Sequence, residues 1–427
     1  MTTLPAAIEA RISRIKAPAR DAIQDTAPVE ATVKAILADV AARGDAAVRD
    51  YSRQFDKSEL EVLEVPMAAR EAAVAALDPQ TRADTQFAID NVTAFAKAQL
   101  ATILPLEVET LPGVHLGHRV IPIDRVGCYV PGGRYPLLSA PVMTIVPARV
   151  AGVGEVIACL PPNAHEAMIA GCHMSGADRI FRVGGAQAIA AMAFGTESIP
   201  KVDKIVGPGN AFVNEAKRQV FGPVFFFNDT ATTEIYTLAD ATGNARMIAT
   251  DLLAQAEHDV RTRVGLITTD RALAEAVLAE VERQLADLPT APVAAVAWRD
   301  YGEIIVVPDE ATMIAVSDRI AAEHLQVHTA DAKGLALKLS SYGSLFIGEN
   351  ASVVYSDKCI GTNHTLPTMA AGRYTGGLWV GAYVKICTHQ WLEDGAIARV
   401  APPAIRQSAS EGLEGHRRAA AFRLEQN

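Results

Sequence analysis

From residue 119 onward, short apolar runs alternate with longer, helix-like segments. The runs 120–130, 155–160, 179–183 and 202–206 read as strands, and 139–152, 164–175 and 186–194 between them read as helices. A second alternation follows, with strands at 264–269, 303–307, 325–328 and 344–347 and helices at 271–285 and 332–341. Within 271–285, Leu273, Val277, Val281 and Leu285 lie four apart, which buries one stripe and leaves Glu275 and Glu282 outside. Parallel neighbours need crossover connections of a dozen residues or more, so this rhythm predicts parallel sheets covered by helices. Ligands of such sheets gather beyond the carboxyl ends of the strands.

Residues 1–25 read as a polar helical arm, and 29–97 as helices interrupted at Gly44 and Pro79. The last fifty or so residues, from about Gly376-Gly377 through Pro402-Pro403 to a polar helical stretch ending at Leu424, read as a tail. The fold class is α/β, with two Rossmann-like parallel-sheet domains between the arm and the tail. Its expected units are 1–25, a discontinuous 26–125 plus 238–378, 126–237 and 379–427.

Charge and composition narrow the function. Lys plus Arg total 39 against 49 Asp plus Glu, a net charge of −10 over 427 residues, which argues against nucleic acid or an anionic membrane as the main partner. The longest apolar stretch, 137–153, is broken by Ser139, Pro141, Thr144, Pro147 and Arg149 and falls short of the ~20 residues of a bilayer span. The first twenty residues carry Glu9, Arg11, Arg14, Lys16 and Arg20 with no apolar signal segment, so the cytoplasm is the expected location. Five cysteines, an odd number without a C-x-x-C pair, read as reduced.

Three glycine turns punctuate the first alternation: Val130-Pro131-Gly132-Gly133, Val183-Gly184-Gly185-Ala186-Gln187 and Val206-Gly207-Pro208-Gly209-Asn210. Small residues there let backbone N–H groups approach a phosphate, and a helix amino end favours an anion. One such turn is ordinary, and none matches G-x-G-x-x-G, but three at successive strand ends of one sheet point to a nucleotide cleft. Gln255 and His258 are three apart on one helix face. A lone Gln/His pair is more often a solvated face, yet imidazole with amide or carboxylate oxygens also makes a mixed N/O zinc shell. Glu323 and His324 would point to opposite faces of a strand already begun, but into one cleft from a turn, where they suit acid–base chemistry near neutral pH. Asp357-Lys358, the polar loop 361–368, Glu411 and His416 read individually as surface residues.

In this order the segments resemble the histidinol dehydrogenase family along nearly the whole chain. The most specific matches are Gly127-Cys128-Tyr129-Val130-Pro131-Gly132-Gly133, the turns 184–187 and 207–210, Gln255-Ala256-Glu257-His258 and Glu323-His324-Leu325. Thr362-Asn363-His364-x-Leu366-Pro367-Thr368 and Glu411-Gly412-Leu413-x-x-His416 complete the set. The resemblance implies zinc- and NAD-dependent oxidation of a primary alcohol, L-histidinol or a relative, through a bound aldehyde to a carboxylate, using two NAD molecules in turn. It implies Gln255, His258 and Asp357 as zinc ligands, with His416 as the fourth, delivered across an intertwined homodimer by the tail of the other subunit. Tyr129, Gln187 and Asn210 match NAD-contacting positions, which makes 126–237 the NAD domain and the discontinuous unit the substrate and zinc domain. Thr233, Gln255, His258, His324, Asp357, His364, Glu411 and His416 match substrate-contacting positions. His324 would take the alcohol proton and Glu323 would activate the water that attacks the aldehyde, roles that require a neutral imidazole and an ionised carboxylate.

The chain departs from the family in two places. Where the family has G-I-D-x-x-A-G-P-[ST]-E, this sequence has Phe225-Phe226-Phe227-Asn228-Asp229-Thr230-Ala231-Thr232-Thr233-Glu234, and only Thr233-Glu234 matches. As written, the segment trades glycines and a proline for β-branched Thr, poorly suited to positive φ, and adds a patch at Phe225 to Phe227. A misformed substrate pocket, and hence an inactive relative, is one expectation. Asp357 is followed by Lys358, where the histidine-biosynthetic branch more often has an aromatic residue, and 373–381 is more similar to the sulfopropanediol 3-dehydrogenase branch. A sulfonate calls for Lys or Arg, whereas the ammonium of histidinol calls for a carboxylate such as Glu411. A plain zinc hydrolase would leave the three glycine turns without a role. The run 228–237 also reads like the in-frame translation of a widely used sequencing-adapter oligonucleotide laid over native residues without changing the spacing to Gln255. Resequencing the locus is expected to return a different segment, and finding this run in genomic DNA would contradict the adapter reading.

Overall fold

The computed structural model describes residues 4–20, 27–132, 137–222, 224–226 and 233–426. Gly133, Phe227 and 228–232 therefore lie outside the described residues, as do the side chains of Phe225 and Phe226. Two sheets carry the fold. The first is wholly parallel, in the order Arg179–Arg182, Glu155–Leu160, Arg125–Tyr129, Lys204–Val206, Phe225–Phe226. The second runs Ser13–Lys16, Gly302–Val306, Arg263–Thr268, Glu234–Ala239, His324–His328, Ser344–Ile347, and only Ser13–Lys16 is antiparallel to its neighbour.

Alternation along each strand feeds a core on either side. In the first sheet Tyr129, Ile157, Cys159, Phe181 and Ile205 face one core, while Val126, Cys128, Val156, Ala158 and Ile180 face the other. The alanine-rich helix Gly185–Phe194 fills the first of these and packs against the helix Ala27–Arg43 and, less extensively, Asp45–Asp56. The stretch 27–56, grouped by sequence with the discontinuous unit, thus lies against the first sheet. In the second sheet Ile235 and Val264 face the core under the helices Ala245–Ala256 and Arg271–Leu285, and Leu238 and Val327 face the core under Glu310–Ile320. The five cysteines are free, with Cys128, Cys159 and Cys172 buried. Among the described residues no helix is long and apolar enough to cross a membrane.

Several elements differ from the sequence reading. The predicted run 120–130 is two strands, Val114–Pro122 and Arg125–Tyr129, in different sheets. The arm has one short helix, Ala6–Glu9, and then donates the edge strand Ser13–Lys16. The predicted helix 332–341 shortens to Ala332–Ala336. A third sheet, antiparallel, pairs Val384–Leu392 from the tail with Val114–Pro122 and Leu106–Leu111. Beyond it the tail is helical, at Ile397–Ser410 and Glu414–Glu425.

Chain order reverses between Arg125–Tyr129 and Lys204–Val206 in the first sheet, and between Glu234–Ala239 and His324–His328 in the second. Such reversals splay the flanking loops and open a crevice. At the first, the backbones nearly touch: Gly207 has φ +110°, and a Cβ there would stand 2.0 Å from the Tyr129 carbonyl oxygen. Gly207→Ala is therefore expected to cost about 2 kcal/mol or more in urea unfolding. A change below about 0.5 kcal/mol would contradict this close approach.

Candidate active site

The two crevices contribute opposite strand ends to one site. From the first sheet come carboxyl ends, with Tyr129 ending one strand, Pro131 after it, and Pro208 and Gly209 after its neighbour. From the second come amino ends, with Thr233 just before Glu234–Ala239 and Glu323 just before His324–His328. The cavities thus lie at carboxyl ends of the first sheet and at amino ends of the second. The carboxyl-end crevice of the second sheet is laced shut, because Asp240 accepts from Thr242 N and Oγ1 on one loop and from Ala330 N on the other.

A cavity of about 260 Å³ brings together Thr233, Gln255, His258, Glu323, His324, Asp357, Lys358 and His364. It adjoins a cleft of about 870 Å³ that holds Tyr129, Gln187 and Asn210. Pro131, Pro208, Gly209, His258 and Asp259 line both. Glu411 and His416 are exposed on the tail and line neither.

Glu323 precedes the strand rather than beginning it, so it and His324 share the cavity. Their orientation comes from the backbone of Glu234. The Glu234 N–H donates to Glu323 Oε2 at 2.8 Å, and the Thr233 hydroxyl donates to the same oxygen at 2.6 Å. His324 Nδ1 donates to the Glu234 carbonyl at 2.9 Å, which leaves Nε2 as the lone-pair atom of the neutral ring. Nε2 is buried without a hydrogen-bond partner among the described residues. Burial acts to lower the pKa of His324, but the charge and hydrogen bond of Glu323, with Asp357 behind it, outweigh burial and raise it to about 9. That direction favours the imidazolium, opposite to the neutral form expected for a base.

Gln255 and His258 lie at the carboxyl end of the helix Ala245–Ala256, and Asp357 near that of Val353–Lys358, where helix dipoles favour a cation. His258 Nε2 and Asp357 Oδ2 are 3.9 Å apart, close to the roughly 3.4 Å between two ligands on tetrahedral zinc. Gln255 Nε2 donates to the Thr233 hydroxyl, leaving the amide oxygen for a cation. One imidazole, one carboxylate and one amide fit zinc as an open three-donor set. Among the described residues, no three His, Cys, Asp or Glu side chains converge to hold a metal by themselves.

His364 Nδ1 donates to the Asp357 carbonyl at 3.1 Å, and burial lowers its pKa, so a neutral ring faces the cavity. In the larger cleft, burial pushes the Tyr129 phenol up to about 12, and its oxygen accepts from Gly185 N. Gln187 is buried and donates to Asp56, and Asn210 caps the helix Ala211–Gln219. The part played by the Glu234 peptide groups escapes sequence reasoning, because nothing in a side chain advertises it.

The folded pKa of His324 lies above the imidazole value of about 6.5, so its stabilising pairing with Glu323 is fully present below about 6.5 and is lost as pH rises through about 9. Chelator-treated protein is expected to lose its Tm advantage over His324→Asn across that window. Parallel curves for the two proteins would contradict this pairing.

The sequence profile of the histidinol dehydrogenase family matches residues 19–424. A histidinol dehydrogenase homolog of Shouchella clausii is 47% identical over 93% of this chain and 94% of its own length. The sulfopropanediol 3-dehydrogenase of Ruegeria pomeroyi is 45% identical over 94% and 93% respectively. The crystal structure of histidinol dehydrogenase from Elizabethkingia anophelis superposes with a TM-score of 0.90 at 32% identity, covering 99% of this chain and 96% of that one. Profile, relatives and superposition all span the residues that build both cavities, and the chain belongs to the histidinol dehydrogenase family of oxidoreductases.

Proposed function

We propose that the chain oxidises a primary alcohol to a carboxylate by two hydride transfers to NAD, with zinc at Gln255, His258 and Asp357. The observation that carries this reading is His324 Nε2, buried and unpartnered in a cavity that shares a wall with the glycine-turn cleft. Zinc held there would supply Lewis acidity and help to orient the substrate, and its charge would offset that of Asp357, which helps to hold the imidazolium. His324 Nε2 removes the hydroxyl proton as hydride leaves the carbinol carbon toward the adjoining cleft. Glu323, held by Thr233 and Glu234, then takes a proton from a water that adds to the retained aldehyde, and a second hydride departure gives the acid. Tyr129, Gln187 and Asn210 line the cleft where the dinucleotide lies.

The single chain leaves the zinc set one donor short, and His416 from a second copy completes it in this reading. One face of the antiparallel sheet supports such pairing. The register places Leu106, Val108, Leu116, Ile386 and Leu392 on that face, all well exposed in one chain. The tail helix Glu414–Glu425 buries none of its own residues and carries exposed Phe422.

L-Histidinol is the first substrate to test. Lys358 favours a second, because it lines the cavity beside Asp357 and suits a sulfonate such as 2,3-dihydroxypropane-1-sulfonate. Zinc-loaded protein is expected to form two NADH per molecule of one of these alcohols. One NADH would contradict the second step, and none from either, with zinc bound, would favour an inactive relative disrupted in 225–234. If the sulfonate is the substrate, Lys358→Met raises its KM by about tenfold or more, and an unchanged KM removes Lys358 from recognition.

A further inference from the structure

The part of the larger cleft not shared with the substrate cavity is walled by a helix outside both sheets. Asp56, the last residue of the helix Asp45–Asp56, lines it beside Phe55. The Asp56 carboxylate accepts from Gln187 Nε2 at 3.3 Å and has no ion-pair partner among the described residues. An acid at a helix carboxyl end opposes the helix dipole, so helix stability does not account for it. Burial raises its pKa, as expected of a desolvated carboxylate short of donors.

In dinucleotide-binding sheets of this kind, an acid after the second strand accepts the adenosine ribose 2′-hydroxyl. Here the second strand, Glu155–Leu160, runs into Pro161-Pro162-Asn163, and Pro161 and Asn163 line the cleft with no acid there. Among the described residues lining the cleft none is Lys or Arg, so no cation is at hand for a 2′-phosphate. Phe55, 49% exposed and stacked on Tyr51 at 5.7 Å, offers a flat apolar surface beside Asp56 for a base. We propose that Asp56 supplies the missing acid, accepting the adenosine ribose 2′-hydroxyl and excluding coenzymes phosphorylated at that position. The inference rests on the reading of this cleft as the dinucleotide site.

Calorimetric titration of the full chain with 5′-AMP, adenosine 2′,5′-bisphosphate, NAD and NADP tests it without requiring turnover. Wild-type protein is expected to favour 5′-AMP and NAD over their 2′-phosphorylated counterparts. Asp56→Asn should narrow that preference by roughly tenfold or more, chiefly by improving binding of the phosphorylated ligands. Asp56→Ser, which also removes the charge, should do the same, and a thermal melt of each variant identifies a folding defect independently of ligand binding. An unchanged preference in a variant that still binds 5′-AMP overturns the role of Asp56 and leaves the dinucleotide reading standing. A wild-type protein that binds none of the four ligands overturns both.

Discussion

One peptide backbone holds the candidate chemistry in place. At Glu234 the N–H orients the Glu323 carboxylate and the C=O orients the His324 ring, and both belong to the first residue of a strand paired on both sides. Strand ends carry backbone donors and acceptors that the ladder does not use, and this site employs them instead of leaving them to water. The side chain of Glu234 fixes the position from the other side. It is fully buried, paired with Arg263 at 3.0 Å, and accepts from Met369 N, where Met369 and Ala370 both have positive φ. Breaking a buried pair of this kind by removing one partner costs about 3–5 kcal/mol. The same carboxylate therefore ties the loop that carries His364 to the strand that orients His324.

The electrostatics follow from where the sheets meet. Glu323, Asp357 and Asp259 line the cavity against a single lysine among the described lining residues, Lys358. Two helix carboxyl ends add to this negative field. A site so built attracts positive charge, and at His324 the field of Glu323 and Asp357 outweighs burial and raises the pKa. The raised pKa of His324 and the convergence of His258, Asp357 and the Gln255 amide are two responses to the same excess of acceptors.

What the sequence conveys depends on how much of an element's environment is local. The helix Arg271–Leu285 matches its predicted bounds because its buried stripe recurs every four residues, and the strands Glu155–Leu160 and Ser344–Ile347 match as short apolar runs between turns. The strand Glu234–Ala239 is central yet illegible. It opens on a charge and carries Tyr236 and Thr237, whose polar atoms find their partners on other strands, Tyr236 in Glu303 and Arg263 and Thr237 in Gln326. The antiparallel sheet is missed because its exposed apolar face leaves no inside-outside contrast in one chain. For the site, Gln255, His258, Glu323, His324, Asp357 and His364 span more than a hundred residues, and no spacing rule unites them. The ordered family motifs bring them together on paper, and the opposed sheet ends bring them together in space. Glu411 and His416 remain apart from that cavity in one chain.

On the proposed reading, hydride must pass between two cavities that share the wall formed by Pro131, Pro208 and Gly209. A crystal structure of the full chain with zinc and NADH measures this most directly. The nicotinamide ring is expected against that wall, with its C4 turned toward His324 Nε2. A nicotinamide bound away from the shared wall, or a dinucleotide outside the glycine-turn cleft, would contradict the arrangement from which the two hydride transfers are inferred.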